Sequence, residues 1–170
     1  MILRAKILVA EDEPAIASQY RVALKSRGHD VTVKTDGQSC MDAYHAALKV
    51  RDAVPFDAVI LDYRMHNRNG LEVAKEMLDL RPRQRIIFAS AYVVETLTES
   101  VKQLGQVVEL LQKPFDVDVL ADMVEDRGVY EELEKINVKV KELKSLDANH
   151  RQLVDLLVGL KKLHKDIRGP

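Results

Sequence analysis

The chain of 170 residues has a single cysteine, Cys40. One thiol excludes an intramolecular disulfide, and without a CxxC or a Cys/His cluster there is no thiolate zinc site; the composition fits a reducing compartment, and Cys40 reads as a packed or idle thiol. Charge of one sign is also missing: 26 Lys and Arg stand against 27 Asp and Glu, leaving −1. No global field draws the chain to nucleic acid or to a membrane surface, so any such binding has to be local. Long apolar runs are missing too, and no stretch approaches the roughly 18 apolar residues that a membrane span requires. The opening MILRAKILVAEDEP has a short apolar run interrupted by Arg4 and Lys6 and followed at once by three acids, unlike a signal peptide. A soluble, cytoplasmic protein without a membrane partner is expected.

What is present is a chain that is 46% hydrophobic, enough for one core domain with an appendage. Apolar runs of strand length recur at Ile7 to Ala10, Val31 to Val33, Ala58 to Leu61, Ile86 to Ala89 and Val107 to Leu111. Segments of helical length lie between them. Pro14 to Arg27 spaces Ile16, Tyr20 and Leu24 helically and stops at Gly28; Leu71 to Leu80 carries Val73 and Met77 before Pro82. Gln38 to Val50 and Val94 to Leu104 read the same way. Strands covered by helices on both faces are continuously apolar, as VILD and IIFA are, so five β-α units predict an α/β fold with a doubly wound, open, five-stranded parallel sheet. Asp116 is placed to cap a last helix carrying Val117, Leu120, Ala121 and Val124. The boundary falls near Asp126, giving a core domain over 1–125 and a helical extension over 126–170.

Ligands of such sheets bind beyond the carboxyl ends of the strands. There the sequence puts Glu11, Asp12 and Glu13 after the first run, Asp62 after the third, Ser90 at the end of the fourth and Lys113 after the fifth, before Pro114. Converging carboxylates repel unless a cation sits between them, and an all-oxygen site suits Mg²⁺ or Mn²⁺. Asp62 is then a nucleophile toward phosphorus, with the metal and Lys113 offsetting charge on the phosphoryl oxygens and Ser90 donating to another of them.

With these residues in hand, KILVAEDEP, VILDYRM with Gly70 downstream, IIFASA and QKPF resemble the receiver domain of two-component response regulators, over roughly residues 4 to 125. The resemblance implies a flavodoxin-like strand order of 2-1-3-4-5 and a phosphoacceptor that takes part in its own phosphorylation and dephosphorylation without being a dedicated enzyme. It implies a sensor histidine kinase as partner. Residue by residue it makes Glu11 and Asp12 the acidic pair, Asp62 the phosphoacceptor, Ser90 the hydroxyl residue with Ala91 after it, and Lys113 the lysine before a cis-proline at Pro114. It also implies a metal ligand from the backbone carbonyl of Arg64. The chain departs from the family in three places. Met65-His66 replaces Met-Pro. Leu110 stands where many receivers have a switch aromatic, which puts the usual hydroxyl-aromatic coupling in question. Arg64 and Tyr92, at positions that tune dephosphorylation, are bulky, so a long-lived phosphoryl group is expected.

Taken singly, these residues have plainer readings. Glu11 to Glu13 would suit a solvated loop capping the helix that starts at Pro14, Lys113 a surface lysine and Ser90 a helix cap. His29, His45 and His66 lack metal-site spacing and read as loop or surface residues. Phosphatases of the haloacid dehalogenase type also set an Asp after a strand, but they need a second Asp two residues on, where this chain has Arg64.

In the tail, Val129, Leu133, Ile136, Val140 and Leu143 alternate by four and three, the seam of a coiled coil. Beyond Ser145 the seam shifts by three, through Leu146, His150, Leu153, Leu157, Leu160, His164 and Ile167. One long helix pairing in a homodimer or with a helical partner is expected; a hairpin near Ser145 to Asn149, capped by Asp147, or a helix lying on its own domain are the alternatives. The tail is too short for a helix-turn-helix output module, so DNA is not expected as a partner even with Lys161, Lys162, Lys165 and Arg168 at its end. Three functions remain: a phosphorylation-gated switch signalling through the tail, a pseudo-receiver acting as a constitutive dimerisation scaffold, and a phosphate sink or relay intermediate.

Overall fold

A computed structural model describes residues 4–50, 54–91, 104–128 and 130–136. In chain order its elements are β1 (Lys6–Ala10), α1 (Pro14–Ser26), β2 (Asp30–Lys34), α2 (Gly37–Val50), β3 (Ala58–Leu61), α3 (Gly70–Leu80), β4 (Ile86–Ser90), β5 (Glu109–Gln112) and α4 (Val117–Glu125). The strands form one sheet in the order β2-β1-β3-β4-β5, all pairs parallel. The expected five-stranded doubly wound sheet is therefore present. The helix expected from Val94 lies outside the described residues, except for Leu104 at its end.

Alternation of side chains along each strand divides the core in two. Leu8, Val59, Leu61, Ile86 and Phe88 face one side, where they meet Met41 and Tyr44 of α2 and Val73 and Met77 of α3. Ile7, Val9, Ile60, Ile87 and Ala89 face the other, against Tyr20 and Leu24 of α1 and Leu120 and Val124 of α4. Both faces of β1, β3 and β4 are thus covered, which is why those segments read as unbroken apolar runs. Pairing registers Ile7 with both Val31 and Ala58, and Val59 with Ile86, so the carboxyl ends of the three central strands come out together.

Two sequence expectations are revised at the opposite edge of the sheet. The fifth strand begins at Glu109 rather than Val107, because pairing with β4 starts at Ile87 and Glu109. Glu109 is held there by the buried Arg85 guanidinium, which also donates to the Met123 and Val124 carbonyls at the end of α4. His29 lies in the loop between α1 and β2, as expected, but is buried rather than at the surface. Its Nδ1 accepts the Ala5 N–H at 3.1 Å, which puts the ring proton on Nε2, 3.0 Å from Glu125 Oε1. A polar ring so fully partnered needs no exposure to water.

The chain divides into two units between Asp126 and Arg127. In the second unit, residues 127, 128 and 130–136 are helical, and Tyr130 donates its hydroxyl to Glu134 at 2.9 Å. The seam beyond Ile136 and the alternative hairpin near Ser145 lie outside the described residues.

Candidate functional site

The register of the sheet delivers the acidic residues to one place. Glu11 follows β1 and its N–H donates to the Lys34 carbonyl; Asp62 follows β3 and its N–H donates to the Ala10 carbonyl. Both residues therefore continue strand pairing by one step, and their side chains are carried into the protein: Glu11 is 1% exposed and Asp62 8%. Asp12, one residue further on, is partly exposed. One ligand oxygen from each of Glu11, Asp12 and Asp62 lies within 4.8 Å of the others.

Lys113 enters from the end of β5. Its N–H donates to the Ser90 carbonyl at 2.7 Å, and its Nζ lies 2.7 Å from Glu11 Oε2 and 3.5 Å from Asp62 Oδ2. The Lys113–Pro114 peptide is cis. Behind it Phe115 stacks on Tyr20 of α1, with ring centroids 5.8 Å apart, so the turn that aims Lys113 is packed against a helix. Ser90 closes β4 and is buried, and Ala91 after it is exposed. Arg64 is exposed in the β3-α3 loop, while Leu110 in β5 packs at the edge of the core cluster containing Phe88. Tyr92 lies outside the described residues.

Electrostatics follow from burial. Burial pushes the Glu11 carboxyl up to about 7, with the Lys113 hydrogen bond opposing the rise and the Asp62 charge adding to it. Burial likewise raises Asp62, against the pull of Lys113 and with the help of Asp12. Burial alone would lower the Lys113 ammonium, but Glu11 and Asp62 outweigh it and the net direction is up. Three carboxylates face one ammonium, and every donor atom among the acids is oxygen. That set fits a hard divalent cation such as Mg²⁺, which would relieve the remaining repulsion.

The capping reading of the acidic run does not hold for Glu11. Its Oε1 accepts the Glu13 N–H at 3.2 Å and the rest of the carboxylate is turned to Lys113. Glu13, the N-cap of α1, makes no side-chain cap; Pro14 at the first helical position removes one N–H that would need a partner.

Sequence reasoning missed the surroundings of the β3-α3 loop. Gly70 starts α3 against Asp62: a Cβ there would stand 2.2 Å from the Asp62 carbonyl oxygen. Asn67 adopts φ 68°, a left-handed conformation that asparagine tolerates. His66 Nε2 lies 4.0 Å from Asp12 Oδ2. The Asn-Gly at 69–70 was a readable signal, since Asn69 caps α3 by accepting the Glu72 N–H; the others are contacts between distant segments.

Comparison with known proteins decides the family. The model of the response regulator receiver domain matches residues 7–125. The chain belongs to the response regulator receiver domain family. Among curated relatives, this receiver is 29% identical over 125 residues to the transcriptional regulatory protein FixJ of Bradyrhizobium diazoefficiens, covering 74% of this chain and 57% of FixJ. It is 36% identical over 122 residues to the DNA-binding transcriptional regulator NtrC of Azospirillum brasilense, covering 71% of this chain but 24% of NtrC. The chain thus spans from about a quarter to just over half the length of these two relatives. A receiver domain from Clostridium thermocellum superposes with a TM-score of 0.63 at 20% identity, over 76% of this chain and 98% of that one, a likeness of fold. Receivers are phosphoacceptor modules of two-component signalling rather than a dedicated enzyme family. Among the described residues no helix is long and apolar enough to cross a membrane.

Proposed function

We propose that this receiver accepts a phosphoryl group on Asp62 from a sensor histidine kinase in an Mg²⁺-dependent reaction in the cytoplasm. Supporting it above all is the convergence of Glu11, Asp12 and Asp62 with Lys113 at one end of the sheet. Glu11, Asp12, Asp62 and the Arg64 carbonyl are the proposed ligands of Mg²⁺ or Mn²⁺. The metal, when bound, supplies positive charge against the phosphoryl oxygens. An Asp62 Oδ bonds to phosphorus as the bond from phosphorus to the donor's imidazole nitrogen breaks, and the leaving imidazole takes a proton from solvent. Lys113 exchanges part of its contact with Glu11 for a phosphoryl oxygen, and Ser90 donates to another. Ala91 leaves room beside Ser90, and Pro114 fixes the turn that carries Lys113. Phosphoryl uptake from a small-molecule donor, lost in EDTA and in Asp62→Asn, tests this reading; uptake that ignores both overturns it.

The output we propose is a change in pairing of the helical extension, residues 126–170, with its own copy or a helical partner. Leu110 favours a second reading, a constitutive dimer that does not switch. Light scattering with Mg²⁺, with and without beryllofluoride, separates the two: a change in mass supports the gated assembly, and an unchanged dimer supports the scaffold. NtrC is a DNA-binding regulator, so the proposed lack of a DNA partner is checked by mobility shift on duplex DNA.

A further inference from the structure

His66 stands in the β3-α3 loop, where its main chain is held by a second element. Its carbonyl accepts two N–H groups, from Gly37 at the start of α2 at 3.3 Å and from Arg68 at 2.8 Å. Gly37 comes so close that a Cβ would stand 2.3 Å from the Arg68 carbonyl oxygen. The Arg68 guanidinium in turn lies 2.6 Å from Glu76 of α3, whose other oxygen faces His45 of α2 at 2.9 Å. The loop is thus tied to both neighbouring helices, which fixes the backbone from which the imidazole projects.

That imidazole comes to the edge of the acidic site. Its Nε2 lies 4.0 Å from Oδ2 of Asp12, the one acid of the three that is partly exposed. The separation is too long for a hydrogen bond. It does suit two ligands of one ion, since a nitrogen and an oxygen each about 2.0–2.2 Å from a metal lie at most about 4.3 Å apart. Glu11, Asp12 and Asp62 already offer three oxygens within 4.8 Å of one another, and His66 approaches this group from the solvent side, through Asp12. A hard cation keeps waters on the side open to solvent. The His66 side chain is 86% exposed, so a small rotation that brings Nε2 into one of those water positions meets no packed neighbour. No second histidine at ligand spacing is needed, because the partners are carboxylates at other strand ends.

Nitrogen changes what such a site prefers. Carboxylate, carbonyl and water suit Mg²⁺ and Mn²⁺, whereas imidazole suits Zn²⁺, Fe²⁺ and Ni²⁺. We propose that His66 Nε2 is a further ligand of the metal centre, recruited by a borderline transition cation and idle toward Mg²⁺, so that this receiver discriminates between the two classes of ion. This rests on the reading above that Glu11, Asp12 and Asp62 hold a divalent cation.

Calorimetric titration of the full chain with Ni²⁺ and with Mg²⁺ tests it. Groups that act on a metal only through its ligands are worth about tenfold or more in affinity, so His66→Ala, which removes a ligand, should weaken Ni²⁺ binding by at least about tenfold. Its Mg²⁺ affinity should match that of the wild type. X-ray absorption at the nickel edge should show one imidazole on the metal in the wild type and none in His66→Ala. Asp12→Asn should weaken both ions. Equal Ni²⁺ affinity in wild type and His66→Ala, an equal loss for both ions in His66→Ala, or Ni²⁺ binding that ignores Asp12→Asn overturns the proposal and leaves the acidic site standing. Failure of the wild-type chain to bind Mg²⁺, or Mg²⁺ binding unchanged by Asp62→Asn, overturns the underlying reading and the proposal with it.

Discussion

Lys113 is paired more closely with Glu11 than with Asp62: its Nζ lies 2.7 Å from the first and 3.5 Å from the second. The ammonium is therefore held by the more deeply buried acid and lies within a small movement of Asp62, the proposed phosphoacceptor. Lys113→Ala should cut phosphoryl uptake from a small donor by roughly 10² to 10³, the loss typical when one donor to a developing oxyanion is removed. Rates measured at saturating Mg²⁺ check it, and a change of less than about twofold would exclude a role at the phosphoryl oxygens.

Metal binding should depend on pH through Glu11. Its carboxyl is raised from the ordinary 4.5 to about 7, chiefly by burial. The unfolded chain gives up this proton first, so Glu11 favours the folded state below pH 4.5 and that contribution is lost as pH rises to about 7. A cation needs the ionised form. Mg²⁺ affinity should rise by up to about tenfold per pH unit below 7 and level off above it, with proton release on binding. Titration in buffers of different ionisation heat measures both; an affinity flat between pH 5.5 and 8 would contradict the assignment.

Gly70→Ala should strain the backbone at Asp62, because its Cβ would press on the Asp62 carbonyl from 2.2 Å. A loss of about 1–3 kcal/mol is expected, the usual cost of overpacking. Urea denaturation checks it, and wild-type stability would show that the loop yields freely.

Tyr44→Phe tests the far end of the sheet. Tyr44 donates to Gln84 Oε1 at 3.0 Å, and Gln84 is fully buried, its amide donating to the Phe56 and Arg85 carbonyls. Removing the hydroxyl leaves a buried acceptor without that donor, at a cost of about 1–3 kcal/mol. Since these residues lie at the end of the sheet away from Asp62, Mg²⁺ affinity should not change.

Much of this architecture was legible because the chemistry is local. The runs at Ile7, Ala58 and Ile86 are apolar without a break, and β1, β3 and β4 lie where those runs do. Asp116 caps α4 through the Asp118 N–H, as its place before an amphipathic segment suggested. Each site residue stands at a strand end, so the parallel sheet alone brings Glu11, Asp62, Ser90 and Lys113 to one edge. Polar strand ends such as Lys6 and Gln112 were not readable, since hydropathy stops where backbone pairing continues. The burial of His29 was not readable because its partners, Ala5 and Glu125, are 24 and 96 residues away.

Dephosphorylation offers a fourth test of the site. Arg64 and Tyr92 are proposed to obstruct attacking water, so the phosphoryl group should persist for minutes or longer in the wild type. Arg64→Ala should shorten that lifetime, and decay within seconds in the wild type would remove the idea.

The decisive experiment is intact-mass spectrometry after incubation with acetyl phosphate and Mg²⁺, followed by peptide mapping. Addition of one phosphoryl group, mapped to Asp62 and absent in Asp62→Asn and in EDTA, is the expected result. No addition to the wild type, or the same addition to Asp62→Asn, would contradict the assignment of Asp62 as the phosphoacceptor.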